Sequence, residues 1–177
     1  MSSFVCPRKC CTLKVVPYAN KRDEDFFKDA HFHSRKAGVV LYDPLKDKVL
    51  IVQSRGHLWG PPKGTLQYGV SQRLCAVREV KEETGLDISA DSFVRAVNLS
   101  NRAIYFYMET PETPVSVQTH IVGNDANGVG WIKLKCLEEC VENGNISLSK
   151  HCQIALKKLL GKTFEHPTFI TVGRKKR

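Results

Sequence analysis

A strong helix signal covers residues 71–84, SQRLCAVREVKEET, near the middle of this 177-residue chain. Ser71 is suited to cap the N-terminus of such a helix, and Gly85 is suited to end it. The apolar residues expected on its buried side are Leu74, Val77 and Val80. Three carboxylates share another face, since their spacing is i, i+3, i+4: Glu79, Glu82 and Glu83.

Carboxylates at this spacing repel one another, so a bare cluster costs stability unless a cation neutralises it. Hard oxygen ligands suit Mg²⁺ or Mn²⁺, which also bind phosphate oxygens. A solvated helix face beside Arg78 and Lys81 would account for the same residues without any metal. The helix therefore predicts either a divalent-metal site or an ordinary exposed acidic face.

The surrounding segments predict a mixed α/β domain in which helices sandwich a sheet, with the strand order left open. Two apolar runs joined by the turn DPLKD predict a β-hairpin, and the Gly- and Pro-rich segment before the helix predicts a structured loop. Later strands and helices follow from alternating or helical apolar spacing. In chain order these predicted segments are strands 37–42 and 48–54, loop 56–69, strands 93–99, 103–110 and 128–134, and helices 134–143 and 147–161.

Residues 64–86, GTLQYGVSQRLCAVREVKEETGL, resemble the Nudix box, G-x5-E-x7-R-E-U-x-E-E-x-G-U, where U is aliphatic. Eight positions match: Gly64, Arg78, Glu79, Val80, Glu82, Glu83, Gly85 and Leu86. Val70 stands where the box has its first glutamate, and Gln67 occupies a nearby position that is often acidic in the family. The resemblance implies a Nudix-type α/β/α sandwich with a mixed β-sheet, spanning 36–165. It also implies a metal-dependent hydrolase of phosphoric anhydride bonds.

The resemblance assigns roles to individual residues. It implies that Glu79 and Arg78 act in catalysis, with Glu79 binding metal and activating water while Arg78 orients a carboxylate. It implies the metal ligands Glu79, Glu82, Glu83, the backbone carbonyl of Lys63, and Asp125 from the loop before the 128–134 strand. Glu109 is a weaker alternative to Asp125. Lys63 is implied as a substrate-binding residue, while Gly64 and Gly85 are structural. Trp59 is a further candidate for binding substrate, since aromatic rings can stack on a base; Trp59, Tyr68, Tyr105 and Tyr107 could do so or could be core or strand-face residues.

The phrasing WGPPKG and CAVREVKEETGLDI resembles messenger-RNA decapping enzymes and dinucleoside polyphosphate hydrolases, with inositol pyrophosphate hydrolases as a third possibility. A net charge of +9 favours phosphate-rich partners, and capped RNA is the favoured substrate because it presents many phosphates. The basic tail 166–177, with RKKR at its end, could extend that surface, or it could be a disordered solubilising tail or a nuclear import signal. A Nudix-fold binding module that has lost catalysis is the rival class. No membrane partner and no DNA-specific signal are expected, and the oligomeric state is left open.

The N-terminal segment 1–35 is predicted to be irregular. It lacks the apolar core of a signal peptide, so a cytoplasmic location is expected, with the nucleus as an alternative. Its cysteines, Cys6, Cys10 and Cys11, lie near His31 and His33, but C-x3-C-C is not a usual zinc-ligand spacing. The seven cysteines are therefore expected to be reduced packing residues.

Overall fold

A computed structural model describes residues 1–18 and 35–167 of the chain. In chain order the elements are β1 (Ser2–Val5), β2 (Thr12–Val15), β3 (Lys36–Asp43), β4 (Lys48–Ser54), β5 (Leu58–Gly60), β6 (Lys63–Thr65), α1 (Gln72–Thr84), a 3₁₀ turn (Ala90–Ser92), β7 (Arg95–Leu99), β8 (Ala103–Glu109), β9 (Ala126–Lys133), α2 (Leu134–Glu142), β10 (Ser147–Leu148) and α3 (Lys150–Leu160). The strands and helices that the sequence predicted between 37 and 161 are confirmed. The predicted loop 56–69 contains the two short strands β5 and β6.

The main sheet has the order β1-β2-β9-β4-β3-β8-β7 and is mixed. Strands β3 and β8 run parallel, while β3 and β4 form the predicted antiparallel hairpin. Asp43 closes that hairpin because its carboxylate accepts the backbone N–H groups of Leu45 and Lys46. The short strand β6 adds to one end of β3, which brings the loop before α1 against the centre of the sheet.

Two apolar cores cover the two faces of the sheet. One packs α2 and α3 against one face, with Leu137, Cys152 and Leu156 fully buried in it. The other packs α1 against the opposite face through Cys75, Ala76 and Val80. The predicted α/β/α sandwich is therefore confirmed.

The interpretation of residues 1–35 as irregular was wrong for the first half of that segment. Strands β1 and β2 form an antiparallel hairpin, and β2 continues the sheet by pairing with β9, where Lys14 faces Val129. Leu13 is fully buried and contributes to the α2/α3 core, so the hairpin is packed rather than appended. Residues 19–34, which include His31 and His33, lie outside the described residues.

Two other predictions from the sequence concern the ends of the molecule and the face of α1. The basic tail 166–177 lies outside the described residues except for positions 166 and 167, and the domain limits 36–165 stay a prediction. The placement of Leu74 on the buried face of α1 was wrong, because its side chain is 61% exposed. Within the described ranges, every helix is too short or too polar to cross a lipid bilayer.

Candidate active site

Helix α1 is fixed at both ends by the capping residues that the sequence predicted. The Ser71 hydroxyl accepts the backbone N–H of Leu74 at 3.2 Å. Gly85 adopts a left-handed conformation, with φ of 80°, and donates its N–H to the carbonyl of Lys81. These caps satisfy backbone groups that a helix otherwise leaves unpaired, and they set where the last two turns of α1 lie.

Glu83 is the most deeply buried of the three glutamates on α1, with 3% of the residue exposed. Its carboxylate accepts the backbone N–H of Lys63 at 2.8 Å, which ties α1 to the short strand β6. Burial raises the pKa of the Glu83 carboxyl to about 8, while the charge and the N–H of Lys63 oppose that shift. A buried carboxylate with this pKa is poorly stabilised as an anion, and a nearby cation would favour the charged form.

The Glu79 carboxyl group lies against Gly64 of β6, a residue that has no side chain. A Cβ atom placed on Gly64 would overlap the Glu79 carboxyl group, so only glycine leaves room for it. Burial raises the pKa of Glu79, and the Arg78 guanidinium, whose Nη2 lies 2.8 Å from the carboxylate, acts against that rise. Gly64 therefore serves the site through the space it leaves open.

Arg78 connects the glutamates to the preceding loop. Besides Glu79 it lies 3.6 Å from Glu82, and its Nη1 donates to the Gln67 side-chain oxygen at 2.7 Å. Val70, at the position of the first box glutamate, packs against the α1-side core instead. Gln67 thus supplies a polar contact from this loop, which the sequence alone did not assign.

Asp125 is brought to the same place by the loop before β9. The Asp125 carboxylate lies 3.3 Å from Arg55 Nε, and the Arg55 backbone N–H donates to the Asp125 carbonyl at 3.1 Å. The neighbouring Asn124 side chain donates to the backbone carbonyl of Glu82 at 2.9 Å, which anchors the loop on the last turn of α1. Glu109 accepts a hydrogen bond from the Tyr107 hydroxyl, and the described residues that line the cavity do not include Glu109.

These side chains surround an open cavity of about 730 Å³. Its charged lining residues are Lys36, Arg55, Lys63, Arg78, Glu79, Glu82, Glu83 and Asp125. Four cations thus face four acids. Lys36, Arg55 and Asn124 carried no recognisable signal in the sequence, since each becomes part of the site only through folding. Gln67 was noted there only as a residue at an often acidic position, without its contact to Arg78.

The aromatic residues proposed from sequence contribute less. Trp59 lines the cavity but is only 4% exposed, because its indole ring packs in the α2/α3 core. Tyr105 and Tyr107 are buried, whereas Tyr68 is fully exposed just before α1. Trp59 therefore exposes too little of its ring to stack on a base, and Tyr68, though exposed, is not among the described residues that line the cavity.

The donor set fits a hard divalent cation. Three carboxylates line one cavity, one of them is buried with a single amide donor, and Gly64 leaves clearance in front of another. Oxygen donors of this kind suit Mg²⁺ and Mn²⁺. Arg78 and the Lys63 amide now hold Glu79, Glu82 and Glu83, so a cation would compete with these contacts for the same oxygens.

Comparison with known proteins matches residues 32–146 to the NUDIX domain. The chain is 33% identical over 138 residues to protein 111R of Invertebrate iridescent virus 3, provisionally described as a hydrolase; this covers 77% of the chain and 80% of that protein. It is 34% identical over 120 residues to the m7GpppN-mRNA hydrolase dcap-2 of Caenorhabditis elegans, covering 62% of the chain but only 15% of that much longer protein.

Among solved structures, one similar fold is the bifunctional NMN adenylyltransferase/ADP ribose pyrophosphatase of Francisella tularensis, complexed with AMP and a manganese ion. The TM-score is 0.55 at 17% identity, over 73% of this chain and 41% of that chain. At this identity the likeness shows a shared fold, and the substrate of this chain has to be argued from its own cavity.

Proposed function

Since the chain belongs to the NUDIX family of hydrolases, we propose that the cavity beside α1 is its pyrophosphohydrolase site and that the 5′ cap of RNA is its favoured substrate. The observation that carries the proposal is the convergence of Glu79, Glu82, Glu83 and Asp125, from two separate segments, on one open cavity. Nudix hydrolases generally depend on a divalent metal, and for this chain we propose Mg²⁺ or Mn²⁺.

We assign metal binding to Glu79, Glu82 and Glu83, together with the backbone carbonyl of Lys63 and the Asp125 carboxylate. A bound Mg²⁺ or Mn²⁺ would withdraw charge from the phosphoryl oxygens and lower the pKa of an attacking water. To Glu79, whose pKa is raised by burial, we assign the role of orienting that water or accepting its proton. Arg78 holds Glu79 through a 2.8 Å contact and so acts as a positioning residue.

The cations around the cavity support a substrate with several phosphates. Lys36, Lys63 and Arg55 all line it, and Lys36 and Lys63 are close enough that the second charge adds to burial in lowering the pKa of Lys36. The four acids of the cavity match its four cations one for one, so a bound divalent cation would leave a net positive charge that favours an anionic substrate. Lys63 is placed to contact a phosphate, and we assign to Trp59 the role of a cavity wall.

Capped RNA is preferred over the other phosphate-rich substrates for two reasons. The net charge of +9 favours a long polyanion, and dcap-2, one of the relatives, is named as an mRNA cap hydrolase. A dinucleoside polyphosphate or an inositol pyrophosphate would fit the same cations. The remaining alternative is a Nudix-fold module that binds RNA without turnover, since Val70 replaces the first box glutamate.

The experiment is product analysis on cap-labelled RNA, diadenosine tetraphosphate and an inositol pyrophosphate, each with Mg²⁺, Mn²⁺ or EDTA. The variants are Glu82→Gln, within the acidic set, and Glu138→Gln, a matched control at an exposed glutamate on α2. Metal-dependent release of a nucleoside diphosphate from the cap, lost in Glu82→Gln and kept in Glu138→Gln, supports decapping. Faster cleavage of another substrate reassigns the specificity, and no turnover of any substrate with either metal refutes the hydrolase.

A further inference from the structure

Four cysteine thiols from two distant parts of the chain meet at the turn of the β1–β2 hairpin. Cys6, Cys10, Cys11 and Cys136, hereafter the thiol cluster, have sulfur atoms that all lie within 4.8 Å of one another. The Cys10 sulfur lies 3.8 Å from that of Cys6, 3.7 Å from that of Cys11 and 3.5 Å from that of Cys136. Three of these residues are buried and Cys10 is exposed, so the cluster reaches the surface at one point.

We propose that the thiol cluster is a structural zinc site with four cysteine ligands. Zinc binds thiolates at about 2.3 Å in a tetrahedron, which places neighbouring sulfur atoms about 3.8 Å apart. The three sulfur separations around Cys10, from 3.5 to 3.8 Å, are close to that edge length. A sulfur-only tetrahedral set favours zinc over the hard cations expected at the carboxylate cavity.

The backbone around the cluster is arranged as a support for charged sulfur. Lys9 donates its N–H to the Cys6 carbonyl at 2.8 Å and adopts a left-handed conformation, with φ of 56°, which turns the chain sharply. Within this turn the Cys10 N–H points to the Cys6 sulfur at 3.4 Å. From the end of β9, the Lys133 N–H points to the Cys11 sulfur at 3.3 Å. Backbone donors of this kind stabilise thiolate ligands and orient them toward a metal.

An ion pair beside the cluster holds the turn against the helix that carries Cys136. Arg8 lies within the turn, and its guanidinium is 2.9 Å from the carboxylate of Glu139 on α2. The two charges cancel, so the pair contributes to the placement of the turn rather than to the charge of the cluster.

Ordinary packing of free thiols explains this arrangement less well. Cysteines that serve as small hydrophobes contact aliphatic or aromatic neighbours, as expected for a buried thiol. Cys6, Cys11 and Cys136 do adjoin the α2/α3 core, yet all three sulfur atoms also converge on that of Cys10. One of them, Cys136, comes from a position 126 residues beyond Cys10. A disulfide would use two of the four sulfurs and leave the other two unexplained.

Metal content of the full chain, purified without a chelator or a metal-affinity tag, tests the assignment. We expect about one Zn²⁺ per chain, and Co²⁺ exchanged into the site should show the thiolate-to-metal charge transfer of a tetrahedral sulfur site. The absorption band separates binding at sulfur from binding at carboxylates. For the same reason, the Glu82→Gln variant should keep both the zinc and the band.

Two cysteines on one helix provide a matched pair of variants. Cys136 and Cys140 are both fully buried on α2, one turn apart, and only Cys136 belongs to the thiol cluster. Cys136→Ala should lose at least tenfold in zinc content, whereas Cys140→Ala should keep about one ion per chain. Cys10→Ala, at the exposed member, repeats the test with little disturbance of the core.

Three results would overturn the assignment. The first is a wild-type chain that neither retains zinc nor develops the cobalt charge-transfer band. The second is equal zinc content in Cys136→Ala and Cys140→Ala, and the third is a disulfide within the cluster in protein prepared under reducing conditions. None of these results bears on the hydrolase proposal, whose cavity contains no cysteine among the described residues.

Discussion

Replacing Gly64 with alanine should damage catalysis much more than folding. The φ of Gly64 is not in the left-handed region, so an alanine fits the backbone conformation of β6 without strain. Its methyl carbon, however, would fall on the Glu79 carboxyl group, well inside the 3.0 Å that real Cβ contacts respect. The carboxylate must therefore withdraw by about 1 Å, and a misplacement of that size at a reacting centre costs about a hundredfold in rate.

The assay is steady-state hydrolysis of the best substrate with saturating Mn²⁺, combined with Mn²⁺ titration by calorimetry and a thermal melt in EDTA. We expect kcat to fall about a hundredfold and Mn²⁺ to bind more weakly, with a melting temperature within a few degrees of wild type. Gly161→Ala is the control: this glycine ends α3 with φ of 65° and has open space around it. It should lose about 1 kcal/mol of stability and keep its activity. A Gly64→Ala protein with near wild-type kcat would refute the argument from clearance.

Three further changes address neighbouring side chains. With EDTA present, wild-type stability should fall as pH rises from about 4.5 to 8, because the raised pKa of Glu83 means that the folded state holds the proton longer than the unfolded state. Glu83→Gln keeps an acceptor for the Lys63 N–H, so melting curves should show it more stable than wild type at pH 8, equal at pH 4, and inactive. Gln67→Ala should lower kcat/KM about threefold to tenfold, since Arg78 loses its 2.7 Å partner; kinetics with either metal measure this. Val70→Glu should lower the free energy of unfolding, measured with urea, by about 1 kcal/mol, because position 70 packs on the apolar core. It should not raise kcat, because position 70 does not line the cavity.

Helix α1 and its glutamates could be predicted because their signals are local. Ser71 and Gly85 mark the two ends within the segment itself, and the i, i+3, i+4 spacing places the carboxylates together in any α-helix. The error at Leu74 has a different origin. Helical spacing predicts which face of α1 is buried but not how wide that face is. Because α1 lies close to β3, the buried face contains the small residues Cys75 and Ala76 and leaves Leu74 outside it.

The N-terminal strands could not be predicted because nothing local specifies them. Strands β1 and β2 are only four residues long, and β2 is stabilised by pairing with β9, more than a hundred residues later. The thiol cluster could not be predicted for the same reason, since its members are far apart in sequence. The C-x3-C-C segment becomes a four-thiol set only when folding brings Cys136 of α2 next to it. Non-local pairing therefore decides both features, and the sequence showed only their separate parts.

The pairing of β2 with β9 connects the N-terminal hairpin to the loop that carries Asp125. Asn127, buried at the start of β9, accepts the Gly56 N–H at 2.9 Å, and its backbone carbonyl accepts the N–H of Val16 just beyond β2. It thus joins the hairpin to the turn that carries Arg55. Because Arg55 in turn holds Asp125 by a backbone hydrogen bond and an ion pair, the placement of Asp125 depends on residues before position 17, outside the motif that identifies the family. The hairpin, held to the sheet by the pairing of β2 with β9, therefore helps to position the loop that completes the carboxylate cavity.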